Sequence, residues 1–260
     1  MIGTYTFVCI GLMIAAGIIL PLGTAIWWVK TKHEKFTTVL VGAATWFIFA
    51  IILESIPKAF LFNQASPIGK AVLGNVFLFT VFGALLAGIF EETGRLVAFK
   101  TVLKNRTNKE TGISHGIGHG GFEAMYLLLV GGIQYLIYAS MVNNGTFGVM
   151  TGRGAISTAD ASALEAIPEA LAAITLGTIL LSITERIFAM IFHVGLSILV
   201  FSAVKKSRIS LYFLAIAMHA LFDVPAALYQ FGVLNLYVTE IFIAIFAVVF
   251  TFVVYKKLHF

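Results

Sequence analysis

Long apolar runs separated by short polar stretches form the dominant pattern of this chain. A membrane-spanning helix needs about 20 mainly apolar residues, and seven runs approach or exceed that length: 5–29, 36–57, 71–90, 121–142, 183–203, 209–229 and 233–255. The stretch 162–181 is ambiguous, because Glu165, Pro168 and Glu169 precede its short uncharged part. The pattern predicts an all-α, polytopic transmembrane helix bundle with seven spanning helices, or eight if 162–181 also spans.

The distribution of basic residues predicts how the bundle is oriented. Lysines and arginines cluster in every second connection and at the end of the chain, at Lys30, Lys32, Lys35, Lys100, Lys104, Arg106, Lys109, Lys205, Lys206, Arg208, Lys256 and Lys257. The positive-inside rule then places the N-terminus outside and the C-terminus in the cytoplasm, which suits seven spans. With seven spans, 162–181 is a re-entrant or interfacial helix or an extension of the next span. The Gly-, Ser-, Thr- and Asn-rich residues 143–160 predict an extracytoplasmic loop.

Composition supports a membrane protein and narrows its partners. The 260 residues are 60% hydrophobic and 11% charged, with a mean hydropathy of +0.99, whereas soluble domains are about 45–50% apolar and about 25% charged. We therefore expect one transmembrane domain, 1–260, in contact with the lipid bilayer. The net charge of +5 comes from short loops, so no nucleic acid is expected as a partner. The single cysteine, Cys9, excludes an intramolecular disulfide.

Adjacent glutamates form the first of four polar clusters that interrupt the apolar runs. An ionisable group at the bilayer centre costs about 2.5–3.5 kcal/mol even on lenient scales, so each needs a partner or a use. Glu91 and Arg95 are four residues apart and share a helix face, while Glu92 points about 100° away. One carboxylate can therefore be held by the arginine while the other faces a cavity as a general base. The alternative is a cytoplasmic end of the third span, with charges that extend to water.

The second cluster comes at the start of the fourth predicted span. His115, His119 and Glu123 recur every four residues and so share one helix face, and Gly116, Gly118, Gly120 and Gly121 allow other helices to approach closely. Glu123 lies deepest, directly before an apolar run, and is interpreted as functional. We interpret His115 as a loop histidine at the membrane interface. His119 fits either interpretation.

Two further clusters place histidines in the middle of spans. His193 follows Glu185 and Arg186 in the fifth span; it can be a metal ligand or bond to a neighbouring helix. His219 and Asp223 are an i,i+4 pair. The aspartate can accept the imidazole N–H and fix the tautomer, act as a ligand itself, or form a purely structural pair.

The clusters together suggest a metal-dependent hydrolase. Two histidines and a glutamate from three helices, with one position open to water, match the plan of a catalytic zinc site, although the chain has no HExxH motif. A proton- or divalent-metal-coupled transporter is an alternative, because intramembrane Glu, His and Asp also serve proton relays. No inverted repeat supports a transporter. A catalytically inactive membrane scaffold is a third possibility.

The order of these motifs resembles the intramembrane proteases related to PrsW and to the CAAX-processing enzymes. Within that group the chain is most similar to the YhfC-type membrane peptidases. The matching segments begin with the glutamate pair in 88–92 and the Phe-Glu motif in 120–123. They continue with the arginine and histidine of 186–193 and the His-x-x-x-Asp motif in 218–223. Together they delimit a peptidase core, 88–223.

The resemblance implies an intramembrane endopeptidase of a bacterial cell membrane that cleaves a membrane-embedded or membrane-proximal protein or peptide. It implies that Glu91 and Glu92 are catalytic and that Glu123, His193 and His219 surround an activated water, where Zn²⁺ or another divalent metal would bind. Asp223 stands where relatives often carry Asn or Asp and is taken as a third catalytic residue. The polar clusters themselves add Arg95, His119 and Arg186 as supporting residues. The chain departs from the CAAX-type pattern in two places, because Arg95 follows the glutamates one residue sooner and Ala189 stands where that pattern has phenylalanine. Some relatives are thought to use glutamate without a metal, so zinc is inferred from ligand chemistry.

Overall fold

The protein is helical throughout the part of the chain that the computed structural model describes, residues 1–148 and 166–258. The elements there, in chain order, are α1 (Thr4–Lys32), α2 (Phe36–Leu61), α3 (Pro67–Leu73), α4 (Val76–Lys100), α5 (Lys109–Asn143), α6 (Ile167–Ala172), α7 (Leu176–Lys205), α8 (Ile209–Gln230) and α9 (Leu236–Lys257). Seven of them, all except α3 and α6, are long and apolar enough to cross a membrane. The prediction of an all-α, seven-span polytopic bundle is thereby confirmed for the described residues.

The ambiguous stretch 162–181 divides into two parts. Residues 167–172 form the short helix α6, and α7 begins at Leu176, ahead of the predicted start at 183. Neither part is an eighth span, since α6 is too short and the remainder extends α7. Residues 162–165 and residues 149–160 of the predicted loop lie outside the described part of the chain.

Helix α4 begins later and ends later than the sequence pattern predicts. Asn75 caps its first turn, because the Asn75 side chain accepts a hydrogen bond from the Leu78 backbone N–H at 3.1 Å. The helix continues to Lys100, so the predicted end at 90 is wrong. Glu91, Glu92 and Arg95 therefore lie within the helix, where all three are buried.

The chain divides into two compact units. One comprises Met1–Leu20 and Met125–Thr184, and the other comprises Pro21–Ala124 and Glu185–Phe260. In the first unit, the Asn143 side chain accepts a 2.6 Å hydrogen bond from the Ile2 backbone N–H. In the second, a large apolar core includes Phe99, Phe192 and Phe201. This second unit contains every predicted site residue, and the single domain 1–260 stays a prediction.

Glycines allow the backbones of α2, α5 and α7 to touch in the second unit. A methyl group added to Gly118 of α5 would lie 1.9 Å from the carbonyl oxygen of Val39 in α2. One added to Gly116 would lie 2.5 Å from the Cα of Val194 in α7. Real side chains cannot approach so closely, so only glycine fits. This packing places the histidines of α5 directly beside His193 of α7.

A π-helical segment, Phe47–Leu53, interrupts α2. Such segments insert an extra residue into a turn and are frequent at functional sites. The segment ends directly before Glu54, whose side chain is only 1% exposed. The extra residue shifts Glu54 relative to the helix face that the preceding turns present.

Candidate active site

Glu91 lies at the centre of a buried polar cluster formed by α4, α5, α7 and α8. Its Oε2 atom is 2.8 Å from His119 Nε2 on α5 and 4.0 Å from His219 Nε2 on α8. The guanidinium of Arg95 is 3.9 Å from the same oxygen. A carboxylate only accepts hydrogen bonds, so the His119 Nε2–H donates to Glu91. One carboxylate is thus surrounded by imidazole and guanidinium groups from three helices.

Arg95 holds Glu92 more closely than Glu91. The sequence spacing favours Glu91 as its partner, but Arg95 Nη1 donates a short hydrogen bond to Glu92 Oε1, three residues away. The remaining donors go to α7, where Nη2 lies 2.6 Å from His193 Nδ1 and Nε lies 3.2 Å from Ser197 Oγ. Tertiary partners on α7 therefore orient the guanidinium fork and leave Glu91 to face the cavity.

His219 is oriented by Glu92 and only weakly by Asp223. The His219 Nδ1–H donates to Glu92 Oε1 at 2.7 Å. The distance from His219 Nε2 to Asp223 Oδ2 is 3.6 Å, too long for a hydrogen bond. The i,i+4 spacing within α8 brings this pair near one another, but the carboxylate that fixes the tautomer comes from α4.

Glu123 connects α5 to α7 through two residues. Arg186 Nη1 donates to Glu123 Oε1 at 2.8 Å, and His193 Nε2 lies 2.6 Å from Glu123 Oε2. Arg186 also pairs with Glu185. Because Arg95 donates to His193 Nδ1, the Nε2 atom is the one that His193 presents toward Glu123 and the cavity.

The interpretation of His115 as an interfacial loop residue is wrong. Helix α5 begins at Lys109, so His115 is helical, and its side chain is fully buried. Its Nδ1 lies 3.2 Å from Ser197 Oγ and its Nε2 lies 3.4 Å from Thr45 Oγ1. His115 therefore packs among α2, α5 and α7 beneath the cluster and contacts neither glutamate of α4.

A metal ion fits the donor atoms of this cluster. Among the described residues, Glu91, His119 and His193 each offer a ligand atom within 4.8 Å of the other two. The buried Glu92 Oε2 and His119 Nδ1 atoms lack a hydrogen-bond partner in the described part of the chain, as occurs where water or an ion completes a polar site. Two imidazoles and a carboxylate are ligands that zinc and similar divalent metals accept.

The metal-ligand set predicted from the sequence also consists of two histidines and one glutamate, but from different positions. It comprises Glu123, His193 and His219, so it shares only His193 with the set that the geometry favours. The His193 and His219 ring centroids are 5.5 Å apart. The structure thus brings these two rings next to one another, and the choice between the two sets stays open to experiment.

A cavity of about 120 Å³ opens beside the cluster. Glu91, Glu123, Arg186, His193, His219 and Asp223 all line it, together with Glu185, Ala189, Phe222, Ala226 and Ile243. This volume is enough for several waters, and the lining is polar enough to bind them. The site predicted from four separate sequence clusters is thus one cavity in the structure, and His119 lies next to it through Glu91.

Two residues of this region were missed by sequence reasoning. Glu54 on α2 pairs with Lys58 at 2.6 Å and interacts electrostatically with Glu91 and Asp223. Its signal was a lone glutamate near the end of an apolar run. Ser197 bonds both Arg95 and His115, and a serine within an apolar span gives no such signal.

The fold and these buried groups define a class of protein, a polytopic membrane protein with a polar site enclosed among its spanning helices. The family model for the YhfC intramembrane metalloprotease matches residues 16–244. The "Uncharacterized membrane protein YhfC" of Bacillus subtilis (strain 168) is 32% identical over 248 residues, which covers 95% of this chain and 94% of the relative. The chain belongs to the YhfC intramembrane metalloprotease family. No solved structure matches it significantly.

Proposed function

We propose that this protein is an intramembrane endopeptidase that hydrolyses a peptide bond of a membrane-embedded or membrane-proximal substrate. The observation that supports this function is the set Glu91, His119 and His193, with ligand atoms within 4.8 Å of one another beside a cavity of about 120 Å³. In this proposal those three residues hold a divalent metal, with zinc the expected ion. When bound, zinc supplies Lewis-acid chemistry that lowers the pKa of water to about 7.

Arg95 holds several groups of the proposed site. It donates to His193 Nδ1 at 2.6 Å, so the ring proton of the neutral imidazole lies on Nε2 and points to Glu123. A metal on Nε2 would need that proton on Nδ1, and Arg95 would then give up this hydrogen bond, because a guanidinium cannot accept one. The same guanidinium bonds Glu92 and Ser197, so its position is fixed from two helices. Arg95 is therefore a positioning residue in the proposed site.

His219 and Glu92 are suited to move a proton during hydrolysis. Glu92 holds the Nδ1–H of His219, so the His219 Nε2 atom faces Glu91 and Asp223. An imidazole held in this way by a buried carboxylate can accept a proton from water and return it to the leaving amine. Asp223 is the most exposed acid of the cavity, with its side chain 31% exposed, and in this proposal it contacts the substrate.

The metal content of single variants distinguishes the two ligand sets. We expect about one zinc per chain in the purified protein and its loss in His193→Asn, which belongs to both sets. If zinc is lost in His119→Asn and retained in His219→Asn, the ligand set is Glu91, His119 and His193. If zinc is retained in His119→Asn and lost in His219→Asn, the ligand set is Glu123, His193 and His219. His115→Asn is the matched control, because this buried histidine lies one turn from His119 but in neither set.

Substitution of Glu91 separates a peptidase from the other functions. Glu91→Gln should abolish cleavage of a membrane peptide substrate while its binding persists. A transporter would lose proton or metal flux in the same variant, and an inactive scaffold would lose little of either.

Metal-free protein that stays metal-free after zinc is added back would contradict the metal site and favour a mechanism that uses glutamate alone.

A further inference from the structure

A second, larger cavity lies next to the candidate active site. Its volume is about 440 Å³, within the range of roughly 300–1,000 Å³ that is usual for ligand pockets. Helices α2, α4 and α8 provide its walls, through Lys58, Phe62, Phe79, Gly83, Ala84, Ala87, Asp223, Ala226, Ala227 and Gln230. Asp223 and Ala226 also line the smaller cavity, so the two cavities are neighbours at these residues.

The residues that line this cavity follow α4 and α8 from the helix ends toward Glu91 and His219. On α4, Gly83 and Ala87 are one turn apart, and the next turn brings Glu91. On α8, Gln230, Ala227 and Asp223 follow one another in similar steps, and His219 is one turn further. Phe62 and Phe79 lie at the outer end, where α2 ends and α4 begins. The other lining residues of α4 are the small Gly83, Ala84 and Ala87, and on α8 Asp223 lies on the way to His219.

Among the described residues that line this cavity, Lys58 alone carries a cationic side chain. Its ammonium is 2.6 Å from Oε1 of the buried Glu54, one turn earlier on α2, which fixes its position. The Lys58 side chain is nevertheless 47% exposed. An ammonium has three donors, so the pair with Glu54 leaves others available for a second anion.

We propose that the larger cavity is the substrate channel, that it binds an extended peptide segment, and that Lys58 pairs with a carboxylate of that segment. This inference rests on the proposed peptidase function, which identifies the substrate as a peptide. The bound segment is extended because a helix must unwind to expose a bond to hydrolysis. Its lining includes Gly83, Ala87 and Ala227, and an extended backbone fits beside such small side chains. The carboxylate can be the C-terminus of the peptide or an acidic side chain.

Thiol-modification rates test the channel and the role of Lys58 without any hydrolysis. A cysteine is introduced as Gly83→Cys in a Cys9→Ser background, since a Cβ at Gly83 meets no atom within 4 Å. The matched control is Leu85→Cys, two residues away on α4, whose side chain is exposed on the outer surface and does not line the cavity. Purified protein in detergent is treated with an anionic and a cationic methanethiosulfonate, and each rate is divided by the rate with a small free thiol.

We expect Gly83→Cys to react about tenfold faster than Leu85→Cys. The cysteine at 85 would face the apolar detergent, and an apolar environment suppresses the thiolate, which is the reactive form. At Gly83→Cys, removal of the positive charge by Lys58→Gln should lower the anionic-to-cationic rate ratio about fivefold, and Lys58→Arg should preserve it. The double variant Glu54→Gln/Lys58→Gln leaves no buried glutamate unpaired and should lower the ratio in the same direction. Equal rates at Gly83→Cys and Leu85→Cys would overturn the channel, and an unchanged ratio in both glutamine variants would overturn the role of Lys58.

Short peptides identify the source of the carboxylate. The probes are N-acetyl-trialanine with a free C-terminus, its C-terminal amide, and the amide of N-acetyl-Ala-Ala-Asp. Protection of Gly83→Cys by the first peptide alone indicates a C-terminal carboxylate, and protection by the third indicates an acidic side chain. Equal protection by the uncharged amide, or no protection by any peptide, would overturn carboxylate recognition. Because these results need no cleavage, they remain interpretable if the peptidase proposal fails.

Discussion

Arg95 shows how one residue organises the candidate site. It is fully buried and contacts a carboxylate, an imidazole and a hydroxyl on two helices. A guanidinium has five donors in a rigid fork, so it can satisfy Glu92, His193 and Ser197 at once, which lysine could not. The sequence spacing identified Arg95 as a partner for one glutamate. The i,i+4 spacing favoured Glu91, but an i,i+3 pair is also adjacent on a helix, and the structure pairs Arg95 with Glu92.

Removal of Arg95 should destabilise the protein by leaving Glu92 buried without its cation. We expect Arg95→Met to lower the free energy of unfolding by about 3–5 kcal/mol. The double variant Arg95→Met/Glu92→Gln should recover part of this loss, since no charge is then left unpaired. Both would be measured by reversible unfolding in one detergent. A double variant no more stable than Arg95→Met would show that the Glu92 pair is not the main source of the effect.

Close helix contacts explain the glycines at the scale of elements. Gly42 of α2 lies against the backbone of His115, and Gly118 of α5 lies against the backbone of Val39. These reciprocal contacts hold α2 and α5 together near His119, and Gly116 and Gly120 do the same for α5 and α7. Small residues at such interfaces permit the van der Waals packing that associates helices in a bilayer. The sequence predicted close approach here but not which helices meet.

A single added methyl group should test this packing. Gly118→Ala would place a Cβ 1.9 Å from the Val39 carbonyl oxygen, so α2 and α5 must move apart, at a cost of about 1–3 kcal/mol for overpacking. His119 is the next residue, so zinc content should fall as well. Gly83→Ala is the matched control, since it has open space and should be neutral or slightly stabilising. Equal unfolding temperatures for the two variants would contradict the close contact.

At the scale of the whole molecule, the number of spans and the loop charges together predict orientation. With seven spans, the loop charges predict that the loop around Ala65 lies outside and the loop around Ser207 lies in the cytoplasm. Both residues are exposed between helices. By this orientation the outer end of the proposed channel faces the extracytoplasmic side, while α4 and α8 lead inward from it.

Labelling in intact cells tests this orientation. In a Cys9→Ser background, a membrane-impermeant maleimide should label Ala65→Cys in intact cells and Ser207→Cys only after the membrane is permeabilised. Cys9→Ser alone should remain unlabelled in both conditions. Labelling of Ser207→Cys in intact cells, with Ala65→Cys protected, would show the opposite orientation.

The sequence by itself determined the class of fold, because the length of an apolar run and the absence of water in a bilayer leave few structures besides a helix that satisfy the backbone. It also identified most of the buried ionisable residues, though not Glu54, since each carries a cost that is visible in an apolar run. It misplaced the end of α4 and the environment of His115, because polar residues that are buried against other helices look in sequence like residues that reach water. Only the tertiary structure decided that Glu92 holds His219, that Glu91 faces the cavity with His119 and His193, and that Glu54 lies nearby. Such pairings depend on the contacts between helices far apart in the chain, and helical periodicity records only the face on which a residue lies.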